Sequence, residues 1–152
     1  MTTGKTAEVF AAHGDTRQRA LIRRLAKSPA RALPILLALT GAEYSPSVQR
    51  WAVEALGHLP ERLAWRPVAR ALRSPHMSVR LHAICAVRAF GNRRRAAALR
   101  PLLRDESGGI RVNALAAVGE FRPKWLDVEL KRAARDPKDY VRKLAVRLGS
   151  AS

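Results

Sequence analysis

A short signature returns every 31 residues along this chain. It reads Val48-Gln49 with Ala52 and Ala55, Val79-Arg80 with Ala83 and Ala86, Ile110-Arg111 with Ala114 and Ala117, and Val141-Arg142 with Ala145 and Leu148. The steps are equal, with no insertion or deletion between them. A fixed period of this size marks stacked supersecondary units, none of which buries its apolar face alone. The chain is therefore expected to be all-α, and its function is to be sought on the surfaces of the stack.

The rest of each unit repeats as well. Leu37, Val68, Leu99 and Leu130 fall at the same step, and a polar turn precedes each signature: Glu43 to Pro46, Ser74-Pro75, Asp105-Glu106 and Asp136-Pro137. Each unit thus reads as helix, turn, helix. First helices are predicted over 29–40, 60–73, 92–104 and 122–135, and second helices over 46–58, 76–90, 107–120 and 138–149. Pro60, Pro75, Pro123 and Pro137 sit near helix starts, where the missing N–H matters little. Gly57, Gly91, Gly119 and Gly149 close the second helices, where a left-handed cap is expected. Arg17-Gln18 with Leu21 and Leu25, on a helix near 16–27, lies one step upstream and reads as a degenerate N-terminal cap over 1–28. Residues 1–152 are expected to form one domain, with clear repeats at 29–58, 60–90, 92–120 and 122–149.

The stretches "SPSVQRWAVEALG" from Ser45 to Gly57 and "DPKDYVRKLAVRLG" from Asp136 to Gly149 resemble the HEAT-like repeat family, in the short form found as PBS-lyase HEAT-like repeats. The resemblance covers roughly residues 16–149 and is specific for fold. It implies a right-handed α-solenoid of about five stacked helix-turn-helix repeats. First helices would line the outer, convex face and second helices the inner, concave one. It also implies a ladder between units, made by the turn acid and the helix arginine. The pairs six apart here are Asp105 with Arg111 and Asp136 with Arg142. Ser74 with Arg80 keeps one half, and Glu43 faces the neutral Gln49. Arg80, Arg111 and Arg142 are accordingly read as stacking groups.

Hydrophobic residues make up 47% of the chain, enough to bury a continuous core. Aromatics are few and alanine is plentiful, which suits close helix packing over a large enclosed pocket. No stretch approaches the roughly 18 apolar residues of a membrane span. The start, "MTTGKTAEVFAAHGDT", lacks a basic region followed by an apolar run, so no signal peptide is expected. The single Cys85 excludes an intramolecular disulfide and fits a reducing cytoplasm, the expected location.

Charge is the main functional clue. Twenty-nine basic residues against 12 acidic give +17. The excess is +7 over residues 1–76 (12 against 5) and +10 over 77–152 (17 against 7), so it is no tail. Such a field draws polyanions and acidic proteins, and arginine grips phosphate or carboxylate with two nitrogens. A solvated arginine-rich face with no partner is the competing reading. Arg62, Arg66, Arg70 and Arg73 form one stripe at helical spacing. Arg93, Arg94, Arg95, Arg100 and Arg104 supply the next unit, and Lys124, Lys131, Arg132 and Arg135 the one after. Of these, Arg62, Arg66, Arg70, Arg73, Arg93, Arg94, Arg100, Arg104, Lys131 and Arg132 are the candidates for phosphate. The second-helix row is mixed: Arg19 and Arg23, then Arg50, Trp51 and Glu54, then His82, Asn113, and finally Lys143 and Arg147. Positive ends with a more neutral middle suit a shaped protein partner. Trp51 reads either as an aromatic anchor in that row or as the edge of the core. Leu144 and Leu148 leave open an apolar edge for stacking on another chain.

Catalytic patterns are weak. His13, His58, His76 and His82 lack the i, i+4 pairing or cysteine partners of a metal site. Gly4-Lys5-Thr6 lacks the upstream glycine and strand of a phosphate loop. No cofactor, metal or catalytic residue is expected. HEAT-like alkylpurine DNA glycosylases and bilin lyases share the implied architecture. Trp51, Trp65, Trp125 and Asp127 are similar in kind to the glycosylase equipment, yet no active-site motif matches residue by residue. The expected function is a non-catalytic adaptor for an acidic protein partner, with sequence-independent binding of duplex DNA or structured RNA as the alternative. The oligomeric state is open.

Overall fold

The computed structural model describes residues 1–12 and 15–150. Among them all regular structure is helical: α1 (Thr3–Ala11), α2 (Asp15–Ala26), α3 (Pro29–Leu39), α4 (Pro46–Gly57), α5 (Glu61–Ala71), α6 (Met77–Phe90), α7 (Ala96–Leu99), α8 (Gly108–Phe121), α9 (Leu126–Ala133) and α10 (Asp139–Ser150). The fold class is an all-α solenoid of helical repeats. The helices gather into two compact units, Met1–Phe90 and Gly91–Ser152.

In the first unit α1, α3 and α5 pack as one layer and α2, α4 and α6 as a second. The spaced alanines explain the tight α4–α6 seam, since Ala52, Ala55, Ala83 and Ala86 are all buried. Small side chains let the backbones approach, and larger ones fill the space between layers. Phe10, Leu36, Leu39, Leu56 and Ile84 are fully enclosed. Each such burial stabilises the unit by about 1.5–3 kcal/mol relative to exposure. The N-terminal segment is more regular than its sequence suggests. Thr2 caps α1 by accepting the Lys5 N–H at 3.4 Å, and Phe10 carries α1 into the core beside α3 and α4.

In the second unit α8 packs on α10, and α9 packs on α10. The helix expected over 92–104 is broken into 3₁₀ turns at Arg93–Arg95 and Arg100–Arg104 around the four-residue α7. Pro101 removes a donor and crowds the preceding turn, and only one α turn precedes it. Pro34 and Pro67 are tolerated inside α3 and α5, which are longer. Helix α9 starts at Leu126, later than expected. Arg122 ends α8 in the left-handed region at φ 46°, so the chain turns over Pro123 and Lys124 first.

The glycines also differ from expectation. Of the four helix-closing glycines only Gly91 is left-handed, at φ 64°. Gly57 is instead required by closeness: a Cβ there would lie 2.8 Å from the Ala86 backbone. At Gly119 a Cβ would meet Leu148 at 2.7 Å.

The ladder has a different register from the one expected. At each slot a donor clamps carbonyls of the turn before its own helix. Arg80 Nη1 donates to Ser74 O and Pro75 O at 3.0 and 3.1 Å, and Arg142 Nη1 to Asp136 O and Pro137 O at 2.7 and 3.0 Å. Gln49 Nε2 does the same to Gly41 O and Tyr44 O, and Gln18 Nε2 to Ala12 O. Six-apart contacts are thus side chain to backbone. Arg111 reaches the Asp105 carbonyl with Nη1, leaving Nε and Nη2 for the Asp136 carboxylate of the next turn at 2.7 and 2.8 Å. The planar fork spans both turns, so the carboxylate partner lies 25 residues on.

Candidate functional site

On α4 and α6 the first unit gathers four residues of the expected row. Trp51 is 3% exposed, so it is part of the core and does not stand out as an anchor. Its ring meets His82 edge-on, with centroids 6.0 Å apart. From outside, the Arg50 guanidinium lies 4.9 Å from the indole centroid, and this cation–π contact holds a partly exposed charge in place. His82 Nδ1 lies 2.8 Å from Ser78 O, while Nε2 lies 3.3 Å from Glu54 Oε2. Both contacts are full hydrogen bonds when the ring is protonated.

The hydrogen bond from His82 holds the Glu54 carboxyl below its usual range; burial pushes the other way, and the charges of His82, Arg19 and His58 add to the lowering. Glu54 is therefore ionised at neutral pH. A cavity of about 190 Å³ opens beside the pair, lined by Glu54, His58, His82 and Cys85 among others. Burial raises the Cys85 thiol, against the pull of Arg88, so this sulfur is a neutral thiol and a poor nucleophile at neutral pH. Arg19 and Arg23 are exposed on α2, Arg19 reaching Asp15 at 3.4 Å. His13 lies outside the described residues. Among those described, no cluster of three His, Cys, Asp or Glu side chains is placed to hold a metal.

The rest of the row belongs to the second unit. Asn113 Nδ2 donates to Gly109 O at 2.8 Å, one turn back on α8. Lys143 pairs with Asp139 at 3.0 Å across an exposed helical turn, and Arg147 is exposed near the end of α10. Leu144 is buried, contrary to an open apolar edge at that position; Tyr140 and Val146 are the large hydrophobic residues that α10 exposes.

The phosphate candidates divide in two. Arg62, Arg66 and Arg70 on α5, and Arg73 just beyond it, are exposed, as are Arg94, Lys131 and Arg132. Arg93, Arg100 and Arg104 are instead engaged within the second unit. Arg93 Nε donates to Phe121 O at 2.9 Å, closing the end of α8. Arg100 and Arg104 both bind Glu129 Oε1, at 2.8 and 3.2 Å, and Arg100 also lies 5.1 Å from the Trp125 centroid. Glu129 is 2% exposed. Burial pushes its carboxyl up, but the bonds and charges of the two arginines outweigh it and hold it low. Sequence reasoning missed Glu129. Its signal was the spacing Leu126, Glu129, Leu130, Ala133, which places an acid on the apolar stripe of α9.

Among the described residues no helix is long and apolar enough to cross a membrane. No curated protein matches the chain. Several solved structures share its fold. One is the complex of CpcE and CpcF of phycocyanin lyase from Nostoc sp. PCC7120, at 19% identity and a TM-score of 0.61 over 98% of this chain and 64% of that one. Another is the archaeal HEAT-like repeats protein from Thermococcus onnurineus NA1, at 16% identity and 0.59 over 97% and 64%. A designed armadillo repeat protein is similar at 18% identity and 0.57 over 95% and 79%. The chain thus spans less than two thirds of the first two. The model of HEAT repeats matches residues 33–119, more than half of the sequence, and the chain belongs to the HEAT-repeat family.

Proposed function

We propose that this protein is a non-catalytic cytoplasmic adaptor that binds an acidic protein partner through second-helix surfaces. The observation that carries this reading is Arg50 stacked on the buried Trp51 beside the locked Glu54–His82 pair. A guanidinium already fixed in place loses little freedom on meeting a carboxylate, so more of the interaction appears as affinity. Arg23 and Arg147 extend positive charge on α2 and α10, each within its own unit. Lyase activity stays with the phycocyanin lyase, since the likeness to it is one of fold.

The test is fluorescence anisotropy of labelled polyglutamate at physiological salt, with wild type and an Arg23→Glu/Arg50→Glu variant. Arg23 is exposed and Arg50 partly so, and neither belongs to the core, which the variant retains. A loss of about tenfold or more is expected, as for removal of charge-assisted bonds. Unchanged affinity would remove this face from the account.

The exposed stripe Arg62, Arg66, Arg70 and Arg73 favours one further reading, phosphate-backbone contact with duplex DNA or structured RNA. That reading requires log affinity to fall linearly with log salt, with a slope set by the phosphates neutralised.

A further inference from the structure

Two cavities occupy equivalent places in the two units, and their differences point to a ligand. In the second unit a cavity of about 670 Å³ has Arg111, Asp136, Leu115 and Val141 in its wall, with Arg132 and Arg135 at its margin. In the first unit a cavity of about 310 Å³ is lined by the residues two repeats earlier: Gln49, Ser74, Val53 and Val79, with Arg70 and Arg73. The offset is 62 positions at every one of these residues. In the second unit the Asp136 carboxylate sits in the wall, held by Arg111. In the first, Ser74 stands where that carboxylate would be, and Gln49 is turned to the carbonyls of Gly41 and Tyr44.

The electrostatic consequence is specific. No acidic residue lines the first-unit cavity, while Arg70, Arg73 and His76 are exposed at it. Its remaining wall is largely apolar, from Val53, Pro67, Ala71 and Val79. A group that suits it carries negative charge on an apolar body.

We infer that this missing rung is a docking site for a partner protein's Asp or Glu side chain flanked by apolar residues. The incoming carboxylate would supply the negative charge that Asp136 supplies internally in the second unit. Arg70 and Arg73 would grip it, and Val53 and Val79 would pack its apolar neighbour. Highly charged nucleic acid gains nothing from such apolar walls, whereas a mixed acidic and apolar peptide does. This cavity involves neither Arg23 nor Arg50, so only the acidic character of the partner is shared with the proposed function.

The experiment uses a labelled, acetylated and amidated peptide of alternating Leu and Glu, with a Leu and Gln peptide as its neutral counterpart. Anisotropy is expected to show binding of the Glu peptide and none of the Gln peptide. Arg70→Glu/Arg73→Glu should weaken binding by about tenfold or more. Gln49→Arg/Ser74→Asp rebuilds the rung seen in the second unit; it should raise the thermal midpoint and weaken binding by a similar factor. The factor lost on Gln49→Arg/Ser74→Asp should be as large in the Arg23→Glu/Arg50→Glu background as in the wild-type background. Wild-type affinity in a folded rung-rebuilt protein would overturn the inference, as would equal binding of the Gln peptide. Loss confined to the Arg23→Glu/Arg50→Glu protein would overturn it while leaving the proposed second-helix face standing. Displacement of the peptide by duplex DNA at lower charge concentration than by the unlabelled peptide would reassign the site to nucleic acid.

Discussion

At the scale of single residues, the carboxylates of Asp136 and Glu129, 9% and 2% exposed, are held by arginines. Asp136 accepts hydrogen bonds from Nε and Nη2 of Arg111 and also from the Lys138 N–H at 2.9 Å. The hydrogen bonds from Arg111 hold its carboxyl below the usual aspartate range against burial, helped by the Lys138 N–H. A carboxyl lowered in the folded state contributes stability that is complete above its unfolded pKa of about 3.9 and fades as pH falls through the lower folded value. Asp136→Asn should therefore destabilise the second unit by about 2 kcal/mol at neutral pH. In thermal unfolding, its gap from wild type should narrow as pH drops below about 4. A gap independent of pH would refute the pairing. The sequence made Arg111 legible as a stacking group, because it recurs at the repeat step. It hid the partner, because the six-apart acid offers Arg111 its carbonyl and the true carboxylate lies one turn further along the stack. Trp51 was ambiguous for a similar reason: second-helix register alone does not decide whether a ring lies over the core or within it.

Among the helices, period and turn chemistry located most elements to within a few residues. Where the sequence misled, a local conflict explains it: Pro101 against a short helix, and left-handed Arg122 delaying α9. Helix α1 escaped notice because it lacks the alanine signature and enters the core through Phe10. The helix-closing glycines gave the right ends for a partly wrong reason, and two of them yield opposite predictions. Gly57→Ala must push α4 from α6, and overpacking of this kind costs about 1–3 kcal/mol. A Cβ at Gly149 would meet no atom within 4 Å, so Gly149→Ala should be neutral or gain up to about 1 kcal/mol from helix propensity. Urea unfolding of the two variants checks both signs; a stabilised Gly57→Ala protein would contradict the close α4–α6 approach.

For the whole molecule, positive charge is the property that both units share. Residues 1–90 carry +9 (14 basic against 5 acidic) and residues 91–152 carry +8 (15 against 7). Fold class and family were legible because a repeat constrains many positions at once. The partner was not, since net charge attracts any polyanion and only the placement of Arg50, Arg70 and Arg73 distinguishes a shaped acidic protein from a phosphate backbone. The stacked arginine on α4 and the apolar walls beside Arg70 and Arg73 both favour protein. The most direct test is competition at physiological salt: the labelled Leu and Glu peptide is bound first, and random duplex DNA or unlabelled peptide is then titrated at matched charge concentration. The adaptor account predicts that unlabelled peptide displaces the probe at a lower charge concentration than duplex does. Displacement by duplex first, with a steep linear loss of its affinity against log salt, would contradict the account and make this HEAT-repeat protein a nucleic-acid binder.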